Sequence, residues 1–358
     1  MVKPTAFYYR PPRDRSSAGA GSSDERPCVL GLWDVRKTPL RLGNMVILVE
    51  ELQAQAELYN GDVEGVCFIH DSARLLCVSV TPERDGALAP LDAPVCAESP
   101  ALSVLINLKG VNACYHAGSV SAVREFICRQ PRPYVVWPSL DTLDGRGRID
   151  YPYGETLFLQ EFFKEFGRLP AISVKTEPLR WARGFVERHV RPAYPVVAHL
   201  KNAPPERGQS NANVAAWAPF FEDCVARRDV KFVIIGNEEV EDRIRCLPNV
   251  IVSQDFGSAA ARDMALIQTA CAYMGMASGP CSMAMFSDIP YLICKHPDHT
   301  PEKMARELGN QDHFPFAAPT QKLLRVFETR ELLMSEFNRL WSQVDLQRWE
   351  RRLRDFPG

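Results

Sequence analysis

The chain has 358 residues, more than one hydrophobic core usually accommodates, so we expect two domains. Hydrophobic residues make up 46% and charged residues 24% of the chain, as in ordinary globular proteins, and the formal net charge of −2 excludes a global electrostatic attraction to nucleic acid. The 11 cysteines form no CxxC pair, which argues against a zinc site and a disulfide framework and indicates a reducing, cytoplasmic compartment.

The first segment, residues 1–27, is rich in Arg, Ser, Gly and Pro and lacks the apolar core of a signal peptide. This composition is typical of a flexible tail. No apolar run elsewhere is long enough for a helix that crosses a membrane, so we expect a cytosolic protein.

Residues 28–176 alternate short apolar runs with amphipathic stretches, a pattern typical of βα units around a parallel sheet. This series predicts a first Rossmann-like domain. The predicted elements are strand 28–35, helix 44–59, strands 65–70 and 103–108, helix 120–129, strand 134–137 and helix 154–166.

Residues 177–193 are charged and predict a linker helix, after which a second α/β series occupies residues 194–320. From 321 to 358 the pattern predicts helices. The elements predicted for the second series are strand 194–200, helix 213–227, strands 230–235 and 250–253, helix 259–269, and strands 271–274 and 290–294.

The most informative segment is a turn of small residues, Ala277 to Pro280, which joins a short strand to a helix that starts near Cys281. The first backbone N–H groups of such a helix lack helical partners, and together with the helix dipole they bind phosphate oxygens. Gly279 permits close approach of a ligand, Ser278 can donate its hydroxyl, and Pro280 suits the first helical turn. An ordinary βα turn explains the same residues equally well.

This segment resembles the donor-binding motif Asp-Thr-Gly-Pro-x-His-x-Ala of the ADP-heptose lipopolysaccharide heptosyltransferases, which have the two-domain GT-B fold. The resemblance implies that the turn, including Ser282, holds the diphosphate of a nucleotide-sugar donor. It leaves the nucleotide base and the sugar open. The positions that match are Gly279, Pro280 and Ala284, and those that differ are Ala277, Ser278 and Ser282 in place of Asp, Thr and His.

Other strand ends of the second series complete the predicted donor site, because ligands of open α/β sheets lie beyond the carboxyl ends of the strands. The strand end at His199 and Lys201 resembles the His-x-Arg strand end of some fucosyltransferases. Lys201 or Arg207 could neutralise the diphosphate, although a solvated strand end and a loop charge are the simpler interpretation. The remaining candidates are Gly236 and Asn237 at the next strand end and Phe256, which could stack on the base or belong to the core.

The candidate catalytic residues belong to the first domain. Heptosyltransferase-like enzymes carry a Gly-Asp pair at the first strand-to-helix turn, and the resemblance implies that this Asp activates the acceptor hydroxyl. The present chain has Asn44 there, which cannot take a proton. Asp34 and His70, at the ends of neighbouring strands, are therefore the candidate bases, with Asp71 and His116 as further candidates.

The segment from His296 to His299 has a spacing that a metal could use, but no third ligand is anchored elsewhere. We therefore expect neither a metal nor another cofactor. Basic residues of the last helix would allow peripheral contact with the inner face of a membrane.

The resemblance implies two Rossmann-like domains facing a cleft, with the acceptor on residues 28–176, the donor on 194–320, and the C-terminal helices crossing back to the first domain. It also implies metal-independent transfer of a sugar from a nucleotide-diphosphate donor to a glycan, a lipid-linked glycan or another hydroxyl acceptor. A nucleotide-sugar epimerase on the same scaffold is one alternative. A catalytically silent nucleotide- or glycan-binding protein is another.

Overall fold

The computed structural model describes residues 6–9, 26–70, 74–75, 78–79, 89–91, 96, 99–204 and 210–356. The chain divides into two units, Met1–Gly154 and Glu155–Gly358. Each unit has its own sheet and its own core, as the alternation of apolar and amphipathic segments predicts.

The first unit contains a six-stranded sheet in the order β1-β8-β2-β3-β7-β6. Its four inner strands are parallel, and the edge strands β1 and β6 pair antiparallel to them. All seven residues of β2 are buried, as expected for a parallel strand covered on both faces. The strands are β1 (Phe7–Tyr9), β2 (Cys28–Asp34), β3 (Asp62–Ile69), β4 (Arg74–Leu75), β5 (Val78–Ser79), β6 (Ala89–Pro90), β7 (Ala113–Ala117) and β8 (Tyr134–Trp137), and the helices are α1 (Leu42–Tyr59), α2 (Pro100–Asn107) and α3 (Val120–Cys128).

The strand predicted at 103–108 is wrong, because these residues belong to helix α2. Pro100 lies in the first turn of that helix, a position where proline favours helix formation. Leu102 and Leu105, three residues apart, are fully buried, so the short apolar run follows the helical period. The parallel strand of this part of the sheet is β7, which the sequence analysis missed.

The second unit contains six parallel strands in the order β11-β10-β9-β12-β13-β14. The strand order therefore reverses between β9 and β12, and the carboxyl ends of these two strands border the position where ligands of open α/β sheets bind. The strands are β9 (Tyr194–His199), β10 (Val230–Ile234), β11 (Val250–Val252), β12 (Ala272–Met276), β13 (Tyr291–Lys295) and β14 (Gln321–Arg325). The helices are α4 (Leu157–Phe166), α5 (Thr176–Phe185), α6 (Val214–Asp223), α7 (Asp242–Arg245), α8 (Ala260–Thr269), α9 (Cys281–Met285), α10 (Pro301–Leu308), α11 (Arg330–Ser342) and α12 (Leu346–Asp355), with a π-helix at Val186–Val190 and 3-10 turns at Cys224–Ala226 and Ser253–Phe256.

A cluster of aromatic rings fixes one face of the second sheet. The rings of Phe220 and Phe337 pack edge to face, with centroids 5.5 Å apart, and join helices α6 and α11 to strand β10. Burying each such ring stabilises the fold by about 1.5–3 kcal/mol. The fully buried members are Trp217, Phe220, Phe221, Phe232 and Phe337.

The segment predicted as a linker helix belongs instead to the second unit. Val174 N–H donates to the Gln268 side chain at 2.9 Å, and the Arg262 guanidinium lies over the Trp181 ring at 5.0 Å. Phe185, at the end of α5, is 1% exposed. The boundary between the units therefore falls after Gly154 and not at residue 176, because α4 and α5 pack with the elements that follow them.

The C-terminal segment also differs from the prediction, since residues 321–325 form strand β14 and only the following residues are helical. Trp349 of α12 donates its indole N–H to Thr269 O at 2.8 Å. Arg191 binds Glu350 through two hydrogen bonds of 2.6 and 2.5 Å. The C-terminal helices α11 and α12 are part of the second unit, and their predicted crossing to the first domain stays a prediction.

The ten cysteines that the structure describes are all free, and eight of them are buried. The two exposed thiols are Cys128 in the first unit and Cys246 in the second. Within the described ranges, no helix has both the length and the apolar character needed to cross a membrane.

Candidate functional site

The reversal point of the second sheet brings His199 and Ser278 together. His199 ends β9, and its register partner on β12 is Gly275. A Cβ on Gly275 would lie 2.5 Å from His199 O, so only glycine permits this approach of the two strands. The Ser278 hydroxyl follows β12 and lies 2.8 Å from His199 Nδ1.

Glu238 extends this contact into a chain of three side chains. Its Oε2 lies 3.3 Å from His199 Nε2, and His199 itself is 2% exposed. Burial raises the pKa of Glu238, but the hydrogen bond and charge of His199, together with backbone N–H groups, outweigh burial and hold the pKa below its ordinary value. The Glu238 side chain is therefore a carboxylate at neutral pH.

Gly236 shapes the loop that carries Glu238. A Cβ on Gly236 would lie 2.4 Å from Glu238 Oε2 and 2.9 Å from the His199 ring, and the φ angle of 105° also favours glycine. Its N–H donates to Asp263 Oδ2 at 3.0 Å. Burial raises the pKa of Asp263 to about 6, although the hydrogen bond from Gly236 lowers it. Gly236 thus contributes to the site through its backbone, while its neighbour Asn237 is exposed.

The turn after β12 presents two backbone donors. In the described part of the chain, the N–H groups of Ser278 and Gly279 donate no hydrogen bond. The N–H groups at 281–283 are already bonded to the carbonyls at 278–280, at 3.1 to 3.3 Å. Helix α9 has only five residues, so its dipole is weak. The predicted phosphate site therefore rests on the turn and not on the helix.

Two further predicted residues of this segment have modest roles. Pro280 is the N-cap of α9 and precedes its first turn. Ser282 lies within the helix and is 5% exposed, so burial limits its access to a ligand.

A buried phenol borders the same turn. The Tyr273 side chain is 0% exposed, and its hydroxyl lies beside Ser278 and 3.2 Å from the position of a Gly275 Cβ. Among the described residues it has no hydrogen-bond partner of ordinary length. A buried polar group without a partner costs free energy, so this hydroxyl is available to a ligand atom or a water molecule at the turn.

Lys295, which the sequence analysis missed, adds a positive charge to this edge of the sheet. It ends β13, next to β12, and is 7% exposed, with Nζ 3.3 Å from His299 Nδ1. Burial, with smaller contributions from the charges of Lys303 and Lys201, lowers the pKa of Lys295 to about 8. Lys201 donates to Ser210 Oγ at 2.5 Å. Two neighbouring ammonium groups repel each other, and a bound dianion would offset this repulsion.

The remaining donor candidates are placed differently. Arg207 lies outside the described residues. Phe256 follows the edge strand β11, is 42% exposed, and packs against the His189 ring with centroids 4.3 Å apart. One part of the Phe256 ring is thus accessible, and its role in stacking on a base stays a prediction.

The histidines near residue 296 have protein partners. His296 Nε2 lies 3.0 Å from Glu328 Oε2, and His299 contacts Lys295. Glu328 is 1% exposed and also accepts from the N–H of Asn213 at 2.7 Å, which ties it to the start of α6. Within the described ranges, no group of three or more His, Cys, Asp or Glu side chains is placed to hold a metal ion.

The candidate bases of the first unit are buried. Asp34 is 0% exposed, forms an ion pair with Arg36 at 2.7 Å, and accepts from the N–H of Ile149 at 3.0 Å. His70 Nε2 lies 3.2 Å from His116 Nδ1, and these side chains are 3% and 4% exposed. These contacts favour structural roles, because both carboxylate oxygens of Asp34 accept hydrogen bonds from Arg36 and the two histidine rings contact each other.

Asn44 and Asp71 complete the predicted catalytic set. The Asn44 amide packs against Gly154, where a Cβ would lie 2.4 Å from its Oδ1. Asp71 lies outside the described residues. The assignment of a base therefore stays a prediction.

The basic residues of the last helix are partly neutralised. Arg348 and Arg352 both donate to Asp288, at 2.6 and 2.9 Å. These ion pairs reduce the free positive charge that would attract a membrane surface, and peripheral membrane contact stays a prediction.

No family model matches the chain, and no curated protein matches it. Among solved structures, it is similar to a glycosyl transferase family 9 protein from Veillonella parvula, with 10% identity, coverage of 90% of each chain and a TM-score of 0.46. It is also similar to the ADP-heptose lipopolysaccharide heptosyltransferase II of E. coli, with 12% identity, coverage of 89% of this chain and 99% of that chain, and a TM-score of 0.49. An E. coli heptosyltransferase with ADP-2-deoxy-2-fluoro heptose has 12% identity, coverage of 87% of this chain and 99% of that chain, and a TM-score of 0.42.

Proposed function

We propose that the chain is a glycosyltransferase that moves a sugar from a nucleotide-diphosphate donor to a hydroxyl group of a glycan or lipid-linked glycan. The observation that carries this proposal is the presence of anion-binding groups at the carboxyl ends of the neighbouring strands β9, β12 and β13. The groups are the N–H donors of Ser278 and Gly279, the Ser278 hydroxyl, and the ammonium groups of Lys201 and Lys295.

The chemistry of sugar transfer requires such groups. When the bond between the anomeric carbon and the diphosphate breaks, negative charge accumulates on the leaving phosphate oxygens. Backbone donors and cations that are already in place stabilise this charge without reorganisation. In this proposal Lys201 and Lys295 supply the positive charge, and no divalent ion is required.

A second candidate function, binding of a nucleotide sugar without transfer, is favoured by the first unit. Asp34 is held in a buried ion pair, and Asn44 stands where related enzymes have an acid. This candidate predicts binding of the donor without release of a nucleoside diphosphate for any acceptor.

The first test is thermal unfolding in the presence of UDP, GDP, ADP, dTDP or CMP, with and without a divalent ion. A ligand of the native state stabilises it by about 2.7 kcal/mol at 100 times its Kd. We expect one nucleoside diphosphate to raise the unfolding temperature of the wild type. We expect Gly279→Leu to abolish the shift, because the new side chain fills the position in front of the turn.

Gly145→Leu is the matched control, since a Cβ at Gly145 meets no atom within 4 Å. A shift that Gly279→Leu abolishes and Gly145→Leu preserves supports the donor site. If none of the nucleotides shifts the transition, the proposal is wrong. If a nucleotide binds but its sugar conjugate is never turned over with any acceptor, the second candidate replaces the first.

A further inference from the structure

The chain of Ser278, His199 and Glu238 has a direction that follows from its chemistry. A carboxylate can only accept hydrogen bonds, so His199 Nε2 must carry a hydrogen and donate it to Glu238. The distance between His199 Nε2 and Glu238 Oε2 is 3.3 Å. In a neutral imidazole Nδ1 is then an acceptor, and the Ser278 hydroxyl must donate to it across 2.8 Å. The single hydrogen of Ser278 is therefore engaged when His199 is neutral.

An anion at the turn requires the opposite direction. Phosphate and sulfate oxygens without protons only accept, and Ser278 has one hydrogen to give. If His199 Nδ1 is protonated, it donates to Ser278 Oγ, and the Ser278 hydrogen is released. Without a ligand this hydrogen can reach Met276 O at 3.2 Å, and with a ligand it can donate to the anion.

We propose that His199 takes up one proton from solvent when a phosphate-type anion binds at Ser278, with Glu238 as the positioning residue that holds the imidazolium. The proton enters at Nδ1 and returns to solvent when the anion leaves, so no other bond changes. The identity of the anion as a donor diphosphate rests on the proposed function, whereas the coupling of anion and proton does not. The imidazolium adds positive charge next to the phosphate oxygens, where a leaving diphosphate needs it.

The surroundings of His199 suit an imidazolium. Glu238 faces it from the loop after β10, and Asp263 of α8 interacts with its charge. Tyr273 and Ser278 face it from β12 and the following turn. Burial raises the pKa of the Tyr273 phenol well above its ordinary value, so this group stays neutral. Two acids therefore offset the cost of placing a charge on a residue that is 2% exposed.

The test uses the full chain and inorganic sulfate, whose charge is constant near neutral pH and whose binding does not depend on a nucleotide base. Nitrogen-15 spectra of the imidazole rings are recorded with and without sulfate at slightly alkaline pH, where an unperturbed imidazole is neutral. The His199 signals are identified by their loss in His199→Gln. We expect His199 to change from one protonated ring nitrogen to two as sulfate saturates the site.

Glu238→Gln keeps an acceptor for His199 Nε2–H but removes the negative charge. We expect it to weaken sulfate binding by on the order of tenfold and to leave His199 neutral at the same pH. If sulfate saturates the wild type while His199 stays neutral, or if sulfate does not bind, the inference is wrong. The wild-type spectra decide this even where the variant fails to fold.

The outcomes also separate this inference from the proposed function. Sulfate binding with protonation of His199, but without a response to any nucleoside diphosphate, supports the coupled site and contradicts the glycosyltransferase. A nucleotide that binds without protonating His199 leaves the donor site in place and overturns the coupling.

Discussion

Lys295 is a single buried residue that would make the proposed anion site sensitive to pH. Its side chain is 7% exposed, and burial lowers its pKa to about 8. An anion favours the charged form of the amine, so the protein must keep this proton to bind tightly. The folded chain therefore has a charged Lys295 below pH 8 and loses the charge as the pH rises through that value.

We expect the affinity for sulfate to fall as the pH rises through about 8. Part of this fall should depend on Lys295, which loses its positive charge over that range. Lys295→Met removes the ammonium group, and we expect a loss of affinity on the order of tenfold below pH 8 and a shallower pH profile, in which only the decrease caused by proton uptake at His199 remains. Calorimetric titration from pH 6.5 to 9.5, about 1.5 units on either side of the expected midpoint, measures both effects. Lys322→Met on the neighbouring strand β14 is the control, because Lys322 already pairs with Glu336 at 3.5 Å. An unchanged pH profile in Lys295→Met would exclude Lys295 from the site.

The sequence allowed the positions of several candidate residues at strand ends to be predicted, while their role in a site stays a prediction. Ser278, Gly279, His199 and Lys201 stand directly at strand ends, where a local pattern is sufficient. Lys295 also ends a strand, but its burial depends on packing that the sequence does not state. The contact between His199 and Glu238 joins residues that are 39 positions apart, and only the order of the strands brings them together.

Helix α1 shows how an element can hold titratable groups in its buried face. Glu51 accepts from the Tyr151 hydroxyl at 2.7 Å and from the Trp137 indole at 3.1 Å. Burial raises the pKa of Glu51 to about 8, although these two hydrogen bonds lower it. Burial also raises the pKa of Glu50, whose carboxyl oxygens have no hydrogen-bond partner among the described residues.

We expect the first unit to lose stability as the pH rises because of Glu51. Its folded pKa of about 8 is above the ordinary 4.5, so the native state holds a proton that the unfolded state has released. This stabilisation is complete below pH 4.5 and is lost as the pH rises through about 8, by at most about 1.4 kcal/mol per pH unit. Glu51→Gln keeps a donor and an acceptor and removes the titration.

Denaturant unfolding at several pH values checks this prediction. Glu51→Gln should flatten the pH dependence and be the more stable chain near pH 8, whereas Glu125→Gln should behave as the wild type. Glu125 is an exposed partner of Arg129 on α3, and such pairs contribute about 0–1 kcal/mol. Equal slopes for all three chains would show that Glu51 is already ionised in the native state.

Elements were predicted well where packing and local pattern agree. The buried strands β2, β9 and β10 consist mostly of apolar residues, and the sequence placed each within a residue or two. Short apolar runs were ambiguous, since six residues can follow either period. For this reason 103–108 was assigned as a strand and 321–325 as a helix, and the structure reverses both.

For the whole molecule, the position of the boundary decides which part of the chain folds by itself. Helix α4 starts at the boundary, where Glu307 accepts a hydrogen bond from the Thr156 hydroxyl at 2.8 Å. Helix α5 packs against α8 and buries Phe185, and the Gln268 side chain of α8 accepts a hydrogen bond from the N–H of Val174, which precedes α5. Residues 155–193 are therefore part of the second core and not a connection to it.

We expect residues 155–358 to fold as an isolated fragment and residues 194–358 not to fold. The shorter fragment lacks α4, α5 and the π-helix, which exposes apolar surface on α8. Circular dichroism during thermal unfolding is the measurement, and a cooperative transition is expected only for the longer fragment. Equally cooperative transitions in both fragments would place the boundary near residue 194, as the composition of the sequence suggested.

The burial of the cysteines has a practical consequence for spectroscopy. Each unit has one exposed thiol among the described residues, Cys128 at the end of α3 and Cys246 after α7, while the other eight described thiols are buried. Cys77 lies outside the described residues and can be replaced by serine. A chain with this one replacement would accept a pair of spin labels or fluorophores, one on each unit, and the distance between the labels would report any change in the arrangement of the units when an anion binds.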